Sequence, residues 1–143
     1  INNGKRLLLK SPYNTPRVKE LLELYPNAKF IYIHRNPYDV YNSTRKLYRT
    51  NVESQMLQDM SEEEIRNLIF DLYSRILKKY IDERSLIPEG NLIEISYDEL
   101  DEFPIETVIK IYNSLSIYGL EQALPHFREY LNNVKDYKTN VFK

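Results

Sequence analysis

The sequence predicts an α/β domain in which a parallel sheet is flanked by helices. Three observations predict it. Short apolar runs of strand length occur at Leu7-Leu8-Leu9, Phe30-Ile31-Tyr32-Ile33 and Asn91 to Ser96. Segments with helical apolar spacing lie between them, and turn chemistry marks the junctions. Strands separated by helices need crossover connections, which make neighbouring strands parallel and pack the helices over the sheet.

Taken in order, Arg6 to Leu9 reads as a short buried strand, closed by a Ser11-Pro12 turn. Thr15-Pro16 then supplies an N-cap with proline at the first helical position. A helix from Pro16 to Leu24 follows, with Val18, Leu21, Leu22 and Tyr25 at helical spacing, and Tyr25-Pro26-Asn27 stops it. Lys29 to His34 is a second strand, nearly continuous in apolar residues, as a strand covered on both faces must be. Arg35-Asn36-Pro37 breaks it, and a helix begins at Tyr38 with Asp39 in its first turn, where negative charge is favourable. Ser61-Glu62-Glu63-Glu64 is a capping box opening one long amphipathic helix through Ile65, Leu68, Ile69, Leu72, Ile76, Leu77 and Tyr80. That helix ends near Pro88-Glu89-Gly90. Asn91 to Ser96 is the third strand, and helices near Ile105–Leu115 and Leu120–Asn132 complete the series.

A chain of 143 residues fits a single domain spanning 1–143, because a chain of about 150 residues buries roughly 68–70% of its unfolded surface in one core. No apolar run approaches the length of about 20 residues that a membrane span needs. The absence of cysteine excludes disulfides, thiolate nucleophiles and cysteine-ligated metals, and two histidines, His34 and His126, do not by themselves make a zinc site. No metal is expected. The net charge of −1 conceals an asymmetry: residues 1–50 carry ten Lys/Arg against three Asp/Glu, and residues 51–143 carry ten against eighteen. The first third therefore favours anions, although single lysines on helix faces are usually just solvated. Nucleic acid is not an expected partner, since no aromatic-rich binding motif accompanies the basic residues.

Ligands of open parallel sheets bind at the carboxyl ends of the strands. That rule selects Lys10, Arg35 and Tyr97. The sharpest local signal is the run from Ile33 to Ser43, Ile-His-Arg-Asn-Pro-Tyr-Asp-Val-Tyr-Asn-Ser. A guanidinium at a strand end offers a planar fork of donors, and helix N-terminal N–H groups with the Ser43 hydroxyl are suited to closing around the same phosphate. Spacing alone serves equally well an Arg35 paired with an acidic neighbour and a Ser43 that is simply exposed.

The segments Leu8-Leu9-Lys10-Ser11-Pro12, Asn14-Thr15-x-Arg17-Val18-Lys19, Tyr25-Pro26-Asn27-Ala28-Lys29-Phe30 and His34-Arg35-Asn36-Pro37 to Ser43 together resemble the core of the sulfotransferase superfamily. The likeness is greatest to the branch called sulfotransferase family 3 and more distant to tyrosylprotein sulfotransferases. Glu94-Ile95-Ser96-Tyr97-Asp98-Glu99-Leu100 and Tyr137-Lys138-x-Asn140 extend it over nearly the whole chain. The resemblance implies a partial sulfotransferase fold related to the P-loop NTPases. It also implies transfer of a sulfuryl group from 3′-phosphoadenosine 5′-phosphosulfate to a hydroxyl or amine of a small molecule, glycan or peptide. Carried over by residue, it gives Arg35 and Ser43 to the donor's 3′-phosphate and Lys10 to the charge developing on the leaving phosphate. Tyr97 goes to the adenine edge, and Arg17 and Lys138 to further anion contacts.

Two departures accompany the likeness. The family's Lys/Arg-Ser-Gly-Thr-type loop around the 5′-phosphosulfate has no counterpart, since the three glycines, Gly4, Gly90 and Gly119, lie in other contexts. With Ile1 in place of methionine, this suggests a domain truncated at its N-terminus. No general base stands out either: Asn14 occupies the turn where a histidine would serve, and His34 alternates away from Arg35 and is expected to be packed or hydrogen-bonded. The alternative to an enzyme is a non-catalytic nucleotide- or anion-binding or interaction module built on the same fold. A cytoplasmic location is expected, and the acceptor is not legible.

Overall fold

The computed structural model describes residues 6–52 and 58–135. Its sheet has two parallel strands, β1 (Phe30–His34) and β2 (Leu92–Ser96), paired in register from Phe30 opposite Leu92 to His34 opposite Ser96. Helix α1 (Val18–Leu24) precedes β1, and α2 (Pro37–Leu47) follows it at once. A π-helical turn over Tyr48–Val52 prolongs α2, and α3 (Glu62–Glu83) returns the chain toward β2. Three helices follow: α4 (Tyr97–Glu102), α5 (Pro104–Ser114) and α6 (Leu120–Val134).

The helix starts follow local chemistry. Ser61 and Glu64 form the reciprocal capping box at α3, and the Ser61 backbone N–H and hydroxyl hold the Glu64 carboxyl below its ordinary range. At α2 the Asn36 side chain accepts the Tyr38 N–H at 3.0 Å, and Pro37 occupies the first helical position. At α4 the Ser96 hydroxyl accepts the Glu99 N–H at 3.0 Å. Gly119, at φ 90°, opens α6 in a left-handed conformation that side-chain-bearing residues rarely adopt.

Register divides the core in two, because residues paired in a parallel ladder project to the same side. Ile93 and Ile95 pack against Ile111 and Leu115 of the α5 region, with Leu100 and Ile117 beside them. On the other side Phe30, Tyr32 and Leu92 meet Val18, Leu22, Tyr80 and Ile87. Ion pairs tie the periphery: Lys79 bridges Glu20 on α1 and Glu83, while the Lys19 N–H donates to Glu83 at 3.1 Å. Arg45 and Arg49 both reach Glu62 at the start of α3.

Three expectations are corrected. Thr15-Pro16 does not start α1: Thr15 closes the preceding 3-10 turn, and the helix begins at Val18 after Arg17, with no side-chain cap. Arg6 to Leu9 is not a strand: the segment joins neither β1 nor β2, and Leu7, Leu8 and Leu9 are 61%, 83% and 53% exposed. An apolar run becomes a strand only where a neighbour supplies ladder partners, and the described residues offer this one none. Nor is β1 covered on both faces. Phe30 and Tyr32 are partly buried, but Ile31 and Ile33 are 39% and 47% exposed, because the isoleucine side of the sheet is covered chiefly over β2.

Candidate functional site

Arg35 and Tyr97 are the first residues beyond the two strands, and the register that pairs His34 with Ser96 sets them side by side at the carboxyl end of the sheet. The Arg35 guanidinium carbon lies over the Tyr97 ring, 4.5 Å from its centroid. Each residue is fixed by the cap beside it, Arg35 by the Asn36-Pro37 start of α2 and Tyr97 by Ser96 at the start of α4. Arg35 Nε stands 3.8 Å from an Asp39 carboxylate oxygen. That is an ion pair too long for a hydrogen bond. The same Nε is buried and has no hydrogen-bond partner among the described residues. A buried guanidinium nitrogen left without an acceptor costs about 1–3 kcal/mol, so its retention calls for an explanation.

Ser43 lies two turns along α2 from Arg35 and is exposed. Asp39 and Ser43, four apart, share a face of α2, whereas Arg35 precedes the Asn36 cap and meets that helix only through Asp39. Of the two readings left open by spacing, Arg35 has the acidic neighbour and Ser43 is exposed, while Arg35 Nε stays without a hydrogen-bond partner among the described residues. Lys10 is exposed on the irregular segment before Ser11, whose hydroxyl accepts the Tyr13 N–H at the short 3-10 turn of Pro12–Asn14. It follows no strand, which corrects the expected placement. Arg17 is exposed at the start of α1, and its carbonyl accepts the Leu21 N–H at 2.9 Å. Lys138 lies outside the described residues.

Behind the pair is a network that sequence reasoning missed. The Tyr80 hydroxyl donates to a Glu94 carboxylate oxygen, which Arg84 also approaches, at 3.2 Å. The Tyr32 ring stacks on that of Tyr80, with centroids 4.1 Å apart. Desolvation by burial, then the Glu94 hydrogen bond, pushes the Tyr80 phenol far above its ordinary value. The Tyr80 and Arg84 hydrogen bonds hold the Glu94 carboxyl low. His34 is not packed as expected but exposed, touching Tyr32 in a tilted ring contact at 6.4 Å. The only signal for the network was Tyr80 as the last residue of an apolar helical series.

Among the described residues, Gly90 (φ 77°) serves the turn before β2 and Gly119 the start of α6, so neither belongs to an anion loop. No helix among them is long and apolar enough to cross a membrane.

An arginine with an unpartnered Nε thus stands between a strand end and a capped helix, and comparison with known proteins gives the class. Residues 2–121 match the Sulfotransferase family, and the chain belongs to that family. It is 33% identical over 139 residues to the omega-hydroxy-beta-dihydromenaquinone-9 sulfotransferase Stf3 of Mycobacterium tuberculosis and to its counterpart of the same name in Mycobacterium bovis. Each alignment covers 97% of this chain and 36% of the relative. A candidate protein-tyrosine sulfotransferase of Caenorhabditis elegans is 29% identical over 127 residues, 85% of this chain and 44% of that protein. The chain therefore spans less than half the length of these relatives. No solved structure gives a significant match.

Proposed function

We propose that this chain forms the 3′-phosphate-binding part of a sulfotransferase that uses 3′-phosphoadenosine 5′-phosphosulfate and transfers its sulfuryl group to a hydroxyl or amine. The observation that carries the reading is Arg35: its guanidinium is held at the sheet's carboxyl end, with a buried Nε that no described residue satisfies. A phosphate oxygen would supply the missing acceptor, and a dianion would outcompete a carboxylate that stands beyond hydrogen-bonding distance. The N-terminus of α2 favours the same charge. Ser43, farther along α2, would add a neutral donor.

The donor would supply the activated sulfuryl group. Lys10 would neutralise charge on the leaving phosphate, since an exposed lysine on an irregular segment has reach that a packed one lacks. Arg17 and Lys138 would add weaker attraction for the anion, and Tyr97 would border the nucleotide. The mycobacterial relatives are named for a hydroxylated menaquinone derivative and the nematode protein for protein tyrosine, so a small-molecule or peptide hydroxyl is the acceptor class favoured here, in a cytoplasmic setting. Titration calorimetry with adenosine 3′,5′-bisphosphate, with 5′-AMP as control, tests the reading. Tighter binding of the bisphosphate is expected, and equal affinity for the two would overturn it.

A further inference from the structure

We infer that Tyr97 is a positioning residue for Arg35, setting the plane of the guanidinium so that its edge is presented to the 3′-phosphate. The inference rests on the anion reading of Arg35 and assigns Tyr97 a task other than bordering the adenine.

The ring lies beneath the guanidinium at 4.5 Å, within the range of a cation–π contact. The contact takes up a face of the guanidinium, which makes no hydrogen bonds, and leaves the donor-bearing edge untouched. Among the described residues no hydrogen bond fixes that plane: Asp39 stands 3.8 Å from Nε, and nothing accepts from it. An arginine oriented only by a distant charge would sweep several rotamers, and freezing them on binding would oppose affinity. Tyr97 removes that freedom beforehand. Its own placement is firm, since Ser96 pairs with His34 in the ladder and caps α4 through the Glu99 N–H. The ring face turned to Arg35 is correspondingly closed to a base.

The test compares Tyr97→Phe with Tyr97→Leu, reading affinity for adenosine 3′,5′-bisphosphate and 5′-AMP by calorimetry. Phenylalanine keeps the π face and should keep the preference for the bisphosphate. Leucine should reduce that preference about 5- to 30-fold, the factor equivalent to a partly desolvated cation–π contact of about 1–2 kcal/mol, by weakening the bisphosphate more than 5′-AMP. Equal weakening of both ligands in Tyr97→Leu would make the ring a base platform and overturn the inference. If wild-type chain does not distinguish the two nucleotides, the anion reading itself fails, a separate outcome that also removes the basis of this one. A measurement on the wild-type chain guards against a leucine variant that fails to fold. The Arg35 Nε–Hε resonance should carry a ring-current shift before nucleotide is added and move again on titration with the bisphosphate. Absence of the ring-current shift would overturn the positioning role whatever the variants do.

Discussion

Tyr80, near the end of α3, donates a hydrogen bond from its hydroxyl to Glu94 in the middle of β2, and so joins the longest described helix to the sheet through a charge-assisted contact. Tyr80 is almost wholly buried, whereas Glu94 keeps contact with solvent and shares its carboxylate with Arg84. Tyr80→Phe should therefore destabilise the fold by about 1.5 kcal/mol, the lower end of the range for hydrogen bonds to charged groups, since water and Arg84 can re-satisfy the carboxylate. Urea unfolding monitored by circular dichroism measures this; a loss under about 0.5 kcal/mol, the spread of ordinary surface substitutions, would contradict it.

The same pair sets opposite pH limits. The Glu94 carboxyl is held low, so its contribution is present above the ordinary glutamate value of about 4.3 and is lost as pH falls through the depressed folded value. The Tyr80 phenol is raised, so its contribution is full below about pH 10 and is lost as pH climbs past that point. Glu94→Gln should flatten the acid limb of a plot of stability against pH while moving the neutral plateau down. An acid limb unchanged in Glu94→Gln would show that other carboxylates carry it.

Arg35→Lys keeps the charge and discards the planar fork, so nucleotide binding should fall roughly 10- to 100-fold, the equivalent of one charge-assisted hydrogen bond of about 1.5–3 kcal/mol. The thermal midpoint without ligand should hardly move, because no described residue accepts a hydrogen bond from Arg35 Nε. Ser43→Ala should give a smaller loss in the same direction, with no folding cost at this exposed site. Unchanged affinity in Arg35→Lys would make Arg35 a structural ion pair with Asp39.

Turnover by the 143-residue chain alone should be below detection even where it binds the bisphosphate. None of its three glycines stands in a Lys/Arg-Ser-Gly-Thr-type sequence, and loss of a single preorganised donor from an oxyanion site already lowers rates roughly 10²–10³-fold. An assay with labelled donor against phenols, sugars and amines decides the matter. Robust turnover would require a phosphosulfate site among these residues.

Leu115, with no exposed surface, joins the α5 region to Ile93 and Ile95. Leu115→Ala should cost about 2–5 kcal/mol and act on the half of the core farther from Tyr80. Denaturant midpoints of Leu115→Ala, Tyr80→Phe and the double variant should add within about 0.5 kcal/mol, since the two side chains belong to separate clusters.

What the sequence disclosed was set by local chemistry. The capping box at Ser61, the Asn36-Pro37 helix start and the carboxyl-end location of Arg35 rest on residues a few positions apart, and each appears where their order puts it. Arg6 to Leu9 misled because strand formation depends on a partner that periodicity does not reveal. Helix α4 goes unread because six residues offer too short an apolar period, and only the Ser96 cap marks its start between the strand's end and the helix near Ile105. The contact of Arg35 with Tyr97 could not be read at all, since it depends on the register of two strands far apart in sequence.

That register has a consequence for how the chain reaches its native state. Closing β1 onto β2 gathers a loop of roughly 60 residues, whose entropy opposes pairing until α3 has shortened the gap by becoming helical. Arg35 and Tyr97 sit at the last rung of that ladder, so their contact should form only late in folding. A ligand that needs the pair assembled binds the folded chain and not the unfolded one, and at 100 times its dissociation constant it would add about 2.7 kcal/mol to the folded state. Nucleotide would then act as a latch on the strand pair, slowing spontaneous unfolding and making the lifetime of the fold depend on how much donor or spent product surrounds it.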